Sequence, residues 1–377
     1  MFPSLRRAAV VAAALTAVCA SLSAAVPSAG ASGSPVRLNE IQAIATHNSY
    51  HRELTFAEKD VQRRTDKNFW NLEYSHPSLT TQFEKQKVRG IELDVFPDPQ
   101  GGLYDEPLVR RDAGLSPLTV AEYQRPGFKV LHWADHDYGT NCVSLRSCLE
   151  QVDAWSRQNP GHVTVPVLLE LKRTDPAIEV RGGVKSPAWD AAMFAALDAE
   201  IREIFSEDRL ITPDDIRRPG RTLEQSVLEN GWPTLSESRG KVMFMLDNQR
   251  DGYRAGAPSL EGKVAFTNSR PGNQDAAFVG WNDPMGANTA TIRRMVEQGY
   301  FVRTRSDVPF TEAASGATAR LEAALASGAQ MISTDFPSAG PSGRYGSDYT
   351  AELPGGLTVR CNPVNGPQYC LDAHLED

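Results

Sequence analysis

The sequence predicts an α/β fold, a single (β/α)8 TIM barrel, and three observations predict it. Short apolar runs with β-branched residues recur along the chain, with helical patterns between several of them. Eight such runs can be found in the 377 residues. Polar side chains gather at the C-terminal ends of the first four, which is where a barrel of this kind carries its chemistry. An open doubly wound sheet allows the same alternation and is the competing architecture. No Pro-, Gly- or Ser-rich linker divides the middle of the chain, and no repeat is evident, so one large domain suits the length.

The N-terminus reads as an address. Residues 1–31, "MFPSLRRAAVVAAALTAVCASLSAAVPSAGA", run from Arg6 and Arg7 through an apolar stretch to the small residues Ala29, Gly30 and Ala31. That order is a secretory signal peptide's, with cleavage expected after Ala31 and the protein expected outside the cell. The stretch is too short to cross a bilayer, and no later stretch is apolar enough.

The first strand candidate is "EIQAIAT" (40–46), followed by "RGIELDVF" (89–96), "FKVLH" (128–132) and "HVTVPVLLELK" (162–172). The second half supplies "KVMFML" (241–246), "KVAFTN" (263–268), "YFVRTR" (300–305) and "AQMISTD" (329–335). Helical patterns fall at 144–158, 188–205, 287–298 and 313–327, and "WDAAMFAALDAEIREIF" spaces its apolar residues by three and four as an amphipathic helix does. The barrel is expected over 32–340. The remainder, 341–377, is rich in Gly, Pro and Ser and is expected to be irregular.

Charge and cysteine usage narrow the function. The formal net charge is −8, and loss of Arg6 and Arg7 makes it more negative. Nucleic acid is therefore not an expected partner, because binding to a phosphate backbone rests on Lys and Arg. An acidic balance suits a site that gathers carboxylates around a divalent cation. Of five cysteines, Cys19 leaves with the leader. Cys142/Cys148 and Cys361/Cys370 are close pairs, and two local disulfides are expected in an oxidising compartment. Zinc is the rival reading, although neither spacing is that of a zinc knuckle.

The strand ends carry the chemistry. The first run ends in His47-Asn48. The second holds Glu92 and Asp94, which a period of two places on one face. Two carboxylates in an apolar strand repel each other unless a cation sits between them. The third ends in His132, and the fourth holds Glu170 and Lys172 on one face. Each feature also has a plain structural reading, as a satisfied histidine, a salt-bridged edge or a buried ion pair. Their coincidence at successive strand ends favours a site. Asn48, Glu92, Asp94 and Glu170 offer only oxygen ligands, which selects Ca2+, with Mg2+ as the second choice. Two histidines supply an acid and a base near working pH, and Lys172 neutralises a phosphoryl oxygen. This set supports phosphodiester cleavage.

Taken in order, "ATHNSY", "RGIELDVF", "VLHWADH", "VPVLLELK" and "ISTDFP" resemble the catalytic strands of the PLC-like phosphodiesterase superfamily. They are most similar to the secreted, calcium-dependent phosphatidylinositol-specific phospholipases C of bacteria. The resemblance runs from about residue 37 to 340. It implies cleavage of phosphatidylinositol, at a membrane surface, to diacylglycerol and an inositol phosphate by way of a cyclic phosphate. It further implies that His132 protonates the leaving oxygen, that His47 stabilises the phosphoryl group or helps the base, and that Asn48, Glu92, Asp94 and Glu170 ligate calcium. A monomer is expected. One departure stands out: Glu170-x-Lys172 is similar to the pattern of glycerophosphodiester phosphodiesterases, whereas those enzymes open with His-Arg and this chain has His47-Asn48. Two other readings therefore stand beside the first, a glycerophosphodiesterase or phospholipase D-like barrel, and a non-catalytic module that binds phospholipid or inositol phosphate.

Later strand ends add Asp247, Arg303, Arg305 and Asp335 as inositol or phosphate contacts, with rim salt bridges as the alternative. Asp335 is equally a candidate brace for its neighbours. His51, His76 and His136 are mostly expected in solvated loops. Trp70, Trp133 and Trp281 either line the mouth, meet lipid or lie in the core.

Overall fold

The computed structural model describes Met1 and residues 36–308 and 310–376; the expected leader and Cys19 lie outside these residues. Among the described residues there are eleven strands: β1 (Ile41–Thr46), β2 (Ile91–Asp98), β3 (Gly127–Val130), β4 (Val165–Leu171), β5 (Leu210–Ile211), β6 (Val242–Leu246), β7 (Ala265–Thr267), β8 (Phe278–Gly280), β9 (Phe301–Arg305), β10 (Met331–Thr334) and β11 (Val359–Cys361). Eight of them follow one another in parallel around a ring. β2, β4, β6 and β7 pair in that order, with Ile91 opposite Val167, Val165 opposite Val242 and Phe244 opposite Ala265. β8, β9, β10 and β1 form the other arc, with Phe278 opposite Phe301, Met331 opposite Arg303 and Ala43 opposite Met331.

Main-chain hydrogen bonds join the arcs at both seams. Arg89 N–H donates to the Ile44 carbonyl (2.9 Å) and Thr46 N–H to that of Gly90 (3.1 Å). Across the other seam Ser269 N–H donates to the Phe278 carbonyl (3.1 Å). Gly90 is the residue the first seam requires, because a Cβ there would stand 2.9 Å from that of Ala45.

Helices cover the ring. Leu145–Gln158 opens on Ser144, whose hydroxyl accepts from Ser147 N–H (3.1 Å), and buries Leu145, Cys148, Leu149, Val152 and Trp155 along one stripe. Ala191–Ile204 opens on Asp190, which accepts from Met193 N–H (2.9 Å). Its buried Phe194, Leu197 and Ile201 each contribute about 2 kcal/mol by leaving water. Ala287–Gln298 stops at Gly299, whose φ of 103° no β-carbon-bearing residue adopts readily. The helix expected over 313–327 is two helices, Thr311–Ser315 and Ala319–Ser327, separated at Gly316 with φ 68°.

Two strand assignments are corrected. "FKVLH" is not a barrel strand. β3 runs antiparallel to β2, with Val95 opposite Val130 and Asp98 opposite Gly127, and Lys129 is buried against Asp98 at 2.9 Å. The chain doubles back on β2 instead of crossing over in parallel, which would need a full helical connection. The remaining barrel strand is the three-residue β8, set among Gly, Asn and Asp residues and too short to stand out as a period-two run. "KVAFTN" is a barrel strand as expected.

Cys142–Cys148 and Cys361–Cys370 are disulfides, so zinc at those cysteines is set aside. The segment expected to be irregular contributes β11, antiparallel to the first half of β1. Beyond it Leu375 is buried and Glu376 pairs with Arg89 (2.6 Å).

Candidate active site

β1 ends where its residues can no longer stay extended. Asn48 takes φ 42°, a left-handed conformation that Asn tolerates better than most non-glycine residues. The turn is tied down at once: Ser49 N–H donates to the Glu92 carbonyl (2.9 Å), and Glu92 N–H donates to Ser49 Oγ (2.8 Å). Buried Gln82 also holds it, accepting from Thr46 Oγ1 (2.6 Å) and donating to the Ser49 carbonyl (2.7 Å). Asn48 is buried, with Nδ2 donating to Tyr74 OH (3.1 Å).

Glu92, Asp94 and Glu170 offer oxygens that lie within 4.8 Å of one another. The parallel register explains the meeting, since Asp94 stands opposite Glu170 across β2 and β4. Asn248 fixes the end of β4 by accepting from Leu171 N–H (2.9 Å) and donating to the Leu171 carbonyl (3.1 Å). Lys172 Nζ lies 3.1 Å from Asp94 Oδ2 and 3.2 Å from Glu170 Oε1. Burial pushes Glu92 up to about 7 against the opposing pull of Arg303, and pushes Asp94 well above the carboxylate range despite Lys172. Burial also lowers the Lys172 ammonium, but Asp94 and Glu170 outweigh it and hold it protonated. Both Asp94 oxygens are buried without a well-formed hydrogen bond. Lys172 meets Oδ2, and Oδ1 has no partner; three carboxylates sharing one ammonium are what a hard divalent cation satisfies, and this donor set fits one.

The two expected histidines sit on different supports. His47 Nδ1 lies 2.8 Å from Asp335 Oδ1, while Arg305 Nη1 lies 3.3 Å from His47 Nε2 and Arg305 Nη2 donates to Asp335 Oδ2 (3.2 Å). Nδ1 facing a carboxylate and Nε2 facing a guanidinium make a neutral ring, donor on one side and acceptor on the other. Burial, then Arg305 and Arg303, hold the His47 pKa well below the usual histidine range. Glu92 Oε1 is 4.0 Å from Nε2. Asp335 is thus the brace of His47. Arg303 faces inward, buried, with Nε on Ser333 Oγ (2.9 Å), Nη1 on Asn282 and Nη2 on Glu92 Oε2 (2.5 Å). Each of its nitrogens has a partner, and Arg305 is the arginine beside His47. Asp247 closes β6 beside Asn268 (3.3 Å), and burial raises its pKa.

His132 comes from the excursion that contains β3. Leu131 N–H donates to the Asp94 carbonyl (3.2 Å), which fastens the excursion to the acidic strand. His132 Nδ1 lies 2.9 Å from Asp137 Oδ2, and Trp133 stacks on its ring at 4.6 Å. Burial lowers its pKa, with Asp137 opposing. His51 and His76 are buried, contrary to expectation, because acceptors engage them: His51 meets Asp137 and the Tyr74 carbonyl, and His76 Nε2 the His47 carbonyl (3.0 Å). His136 is half-buried, its Nε2 3.6 Å from Asp66 Oδ2. Beside Glu170 and Lys172 the mouth opens into a groove of about 760 Å³, bordered by Trp133, His136, Arg173 and Arg181.

The chain matches the family described as phosphoinositide phospholipase C, Ca2+-dependent, over residues 36–363. Among solved structures it is similar to a calcium-dependent phosphoinositol-specific phospholipase C from a Pseudomonas species, in an apo form (TM-score 0.52, 15% identity, covering 88% of this chain and 97% of that one). The myoinositol complex of the Pseudomonas protein gives the same score and identity, covering 86% and 95%. These likenesses bear on the fold. A phosphatidylinositol-specific phospholipase C from Streptomyces antibioticus lies further off, at TM-score 0.47 and 16% identity, covering 80% and 95%. No curated protein sequence matches.

Proposed function

The chain belongs to the calcium-dependent phosphoinositide phospholipase C family, and from that premise we propose that its barrel mouth cleaves phosphatidylinositol between His47 and His132, around a calcium ion held by Asn48, Glu92, Asp94 and Glu170. The observation that carries the reading is the cluster of three buried or half-buried carboxylates in which Asp94 Oδ1 has no partner and a single ammonium, Lys172, faces Asp94 and Glu170. When bound, calcium supplies positive charge to the phosphoryl oxygens and acidifies the attacking hydroxyl. Lys172 and Arg305 hold the phosphoryl group by its charge. An inositol hydroxyl oxygen bonds to phosphorus and the bond from phosphorus to the diacylglycerol oxygen breaks. The hydroxyl proton passes to the base formed by His47 Nε2 and Glu92 Oε1, 4.0 Å apart. His132 Nε2 gives its proton to the leaving oxygen, and the products are diacylglycerol and a cyclic inositol phosphate that water opens in a second step. Asp247, at the end of β6 next to β4, contacts the inositol ring.

The substrate is met at a membrane surface. Phe56 is 80% exposed, and Trp70 and Trp133 are each 42% exposed. Trp133 borders the groove beside Glu170 and Lys172, and Trp70 is 6.1 Å from Phe310 in the segment that follows β9. A rim of exposed aromatics beside a lipid-cleaving site suits insertion between headgroups. The two disulfides and the leader-like sequence of residues 1–31 support a protein working outside the cell. Among the described residues no helix is long and apolar enough to cross a membrane.

The test incubates purified protein with phosphatidylinositol, phosphatidylcholine and glycerophosphoinositol, each with calcium or with chelator. Diacylglycerol and cyclic inositol phosphate, formed from the first substrate and abolished by chelator, are expected. Glycerol phosphate from the third, or turnover indifferent to chelator, would overturn the reading.

A further inference from the structure

We propose that Asp137 is the positioning residue that presents His132 to the leaving oxygen, and that His51 is the counter-charge that holds Asp137 in place; the inference rests on the phospholipase C reading above. A single oxygen, Asp137 Oδ2, lies 2.9 Å from His132 Nδ1 and 2.9 Å from His51 Nε2. A carboxylate oxygen accepts, so His132 carries a proton on Nδ1 and its catalytic exchange takes place at Nε2. No group among the described residues bonds that Nε2, and the ring is the more exposed of the two, its side chain 18% accessible against 0% for His51.

His51 differs in every respect that matters. Its Nδ1 faces the main-chain carbonyl of Tyr74 (3.0 Å) and its Nε2 faces Asp137, so both partners are acceptors and both nitrogens donate. Tyr74 stacks on it at 4.3 Å and fixes its plane. The tyrosine hydroxyl in turn receives Asn48 Nδ2, so the same ring braces the turn at the end of β1. The buried anion of Asp137 is therefore balanced by His51 and not by His132. His132 can gain and lose a proton without leaving Asp137 uncompensated, which would otherwise oppose each turnover. The directions agree: Asp137 raises His51 in spite of burial and is itself held below the carboxylate range by the two rings.

A further detail makes Asp137 a weak spot if His51 is absent. Its Oδ1 is buried and has no hydrogen-bond partner, so the carboxylate is oriented through Oδ2 and through the turn in which Asp137 N–H donates to the Trp133 carbonyl (2.9 Å). The sequence holds both residues inside its catalytic segments, "ATHNSYH" and "VLHWADHD", at positions the strand-end argument passes over.

A residue that serves the acid is distinguished from one that serves the fold by the leaving group. Turnover of a water-soluble short-chain phosphatidylinositol, whose alkoxide needs a proton, is compared with that of a nitrophenyl inositol phosphate, whose phenolate does not. Both are used below any micellar threshold, with calcium, on wild type, Asp137→Asn, His51→Gln and His132→Ala. Asp137→Asn is expected to lose about 100-fold or more in kcat on the alkyl ester and less than about tenfold on the aryl ester. His51→Gln is expected to show the same selectivity with a smaller loss. Equal losses on the two esters, or no loss on either, in both Asp137→Asn and His51→Gln would overturn the proposal. His132→Ala separates the two readings. If it is selective and the other two are not, the positioning role falls and the acid stands. If it loses equally on both esters, the acid assignment falls and takes the positioning role with it.

Discussion

Asp94 is the residue on which the metal reading turns. It is fully buried, its oxygens lack well-formed hydrogen bonds, and its neighbours Glu92 and Glu170 repel it. Asp94→Asn keeps the volume and removes the charge. In calorimetric titration calcium affinity should fall at least about tenfold, since affinity follows the count of charged ligands. Without calcium the variant should unfold at a temperature close to that of wild type, because relief from Glu92 and Glu170 offsets the lost ion pair with Lys172. Added calcium should raise the wild-type midpoint and barely move the variant's; an equal rise in both would remove Asp94 from the site. The carboxylates and His47 could be read from the sequence because a charge inside an apolar run is costly and therefore conspicuous. Ser49, Gln82, Tyr74, Asn248 and Asp137 could not. They act through hydrogen bonds between segments far apart in the chain, and nothing in their own neighbourhood marks them. Arg303 and Arg305 show the limit of a period-two argument: both lie on one strand and on one face, yet one turns inward to Glu92 and the other meets His47.

At the scale of elements, seven of eight barrel strands could be read from apolar runs, and the exceptions have physical causes. β3 has the composition of a core strand because it is buried against β2, and burial alone does not reveal direction. β8 spans three residues, and a run that short carries no period. The helix Leu145–Gln158 carries a prediction of its own. Its Ser156 hydroxyl is 2.6 Å from Nε2 of His162, which leads into β4 and whose pKa burial lowers to about 4. A histidine with a folded-state pKa below the unfolded value of about 6.5 binds fewer protons in the native state. Stability is then complete above pH 6.5 and falls as pH drops toward 4, by about 3 kcal/mol for this group. Urea unfolding at pH 7.5 and pH 4.5 should show the drop, and His162→Gln should flatten it. A slope unchanged in the variant would place the acid sensitivity elsewhere.

For the whole molecule main-chain hydrogen bonds close the ring, one end of it gathers His47, Glu92, Asp94, Glu170 and Lys172, and exposed Trp133 borders the groove beside them. Trp70→Ala and Phe56→Ala should weaken sedimentation with phosphatidylinositol vesicles by roughly tenfold together, about 0.7 kcal/mol each, and leave turnover of a monomeric short-chain substrate unchanged. A matching loss on the soluble substrate would tie these residues to the site and not to the membrane. The barrel was legible as a whole because alternation and strand-end polarity are properties of the entire chain, whereas the rim is not, since an aromatic residue reads alike in a core and at a surface. One consequence follows from the placement of His132 outside the ring. The carboxylates of the candidate ion site belong to β2 and β4, while the acid rides on an excursion whose return leg is stapled by Cys142–Cys148 to the helix behind it. Ion capture and proton delivery therefore have separate mechanical supports, and of the two disulfides a reductant opens, Cys142–Cys148 lies beside the acid whereas Cys361–Cys370 lies at the start of β1, opposite Ile41 and away from the carboxylates. Protein made in a reducing cytoplasm should bind calcium normally and turn over slowly, and reoxidation should restore the rate. In such a preparation the acidic cluster and the acid are uncoupled without a single substitution.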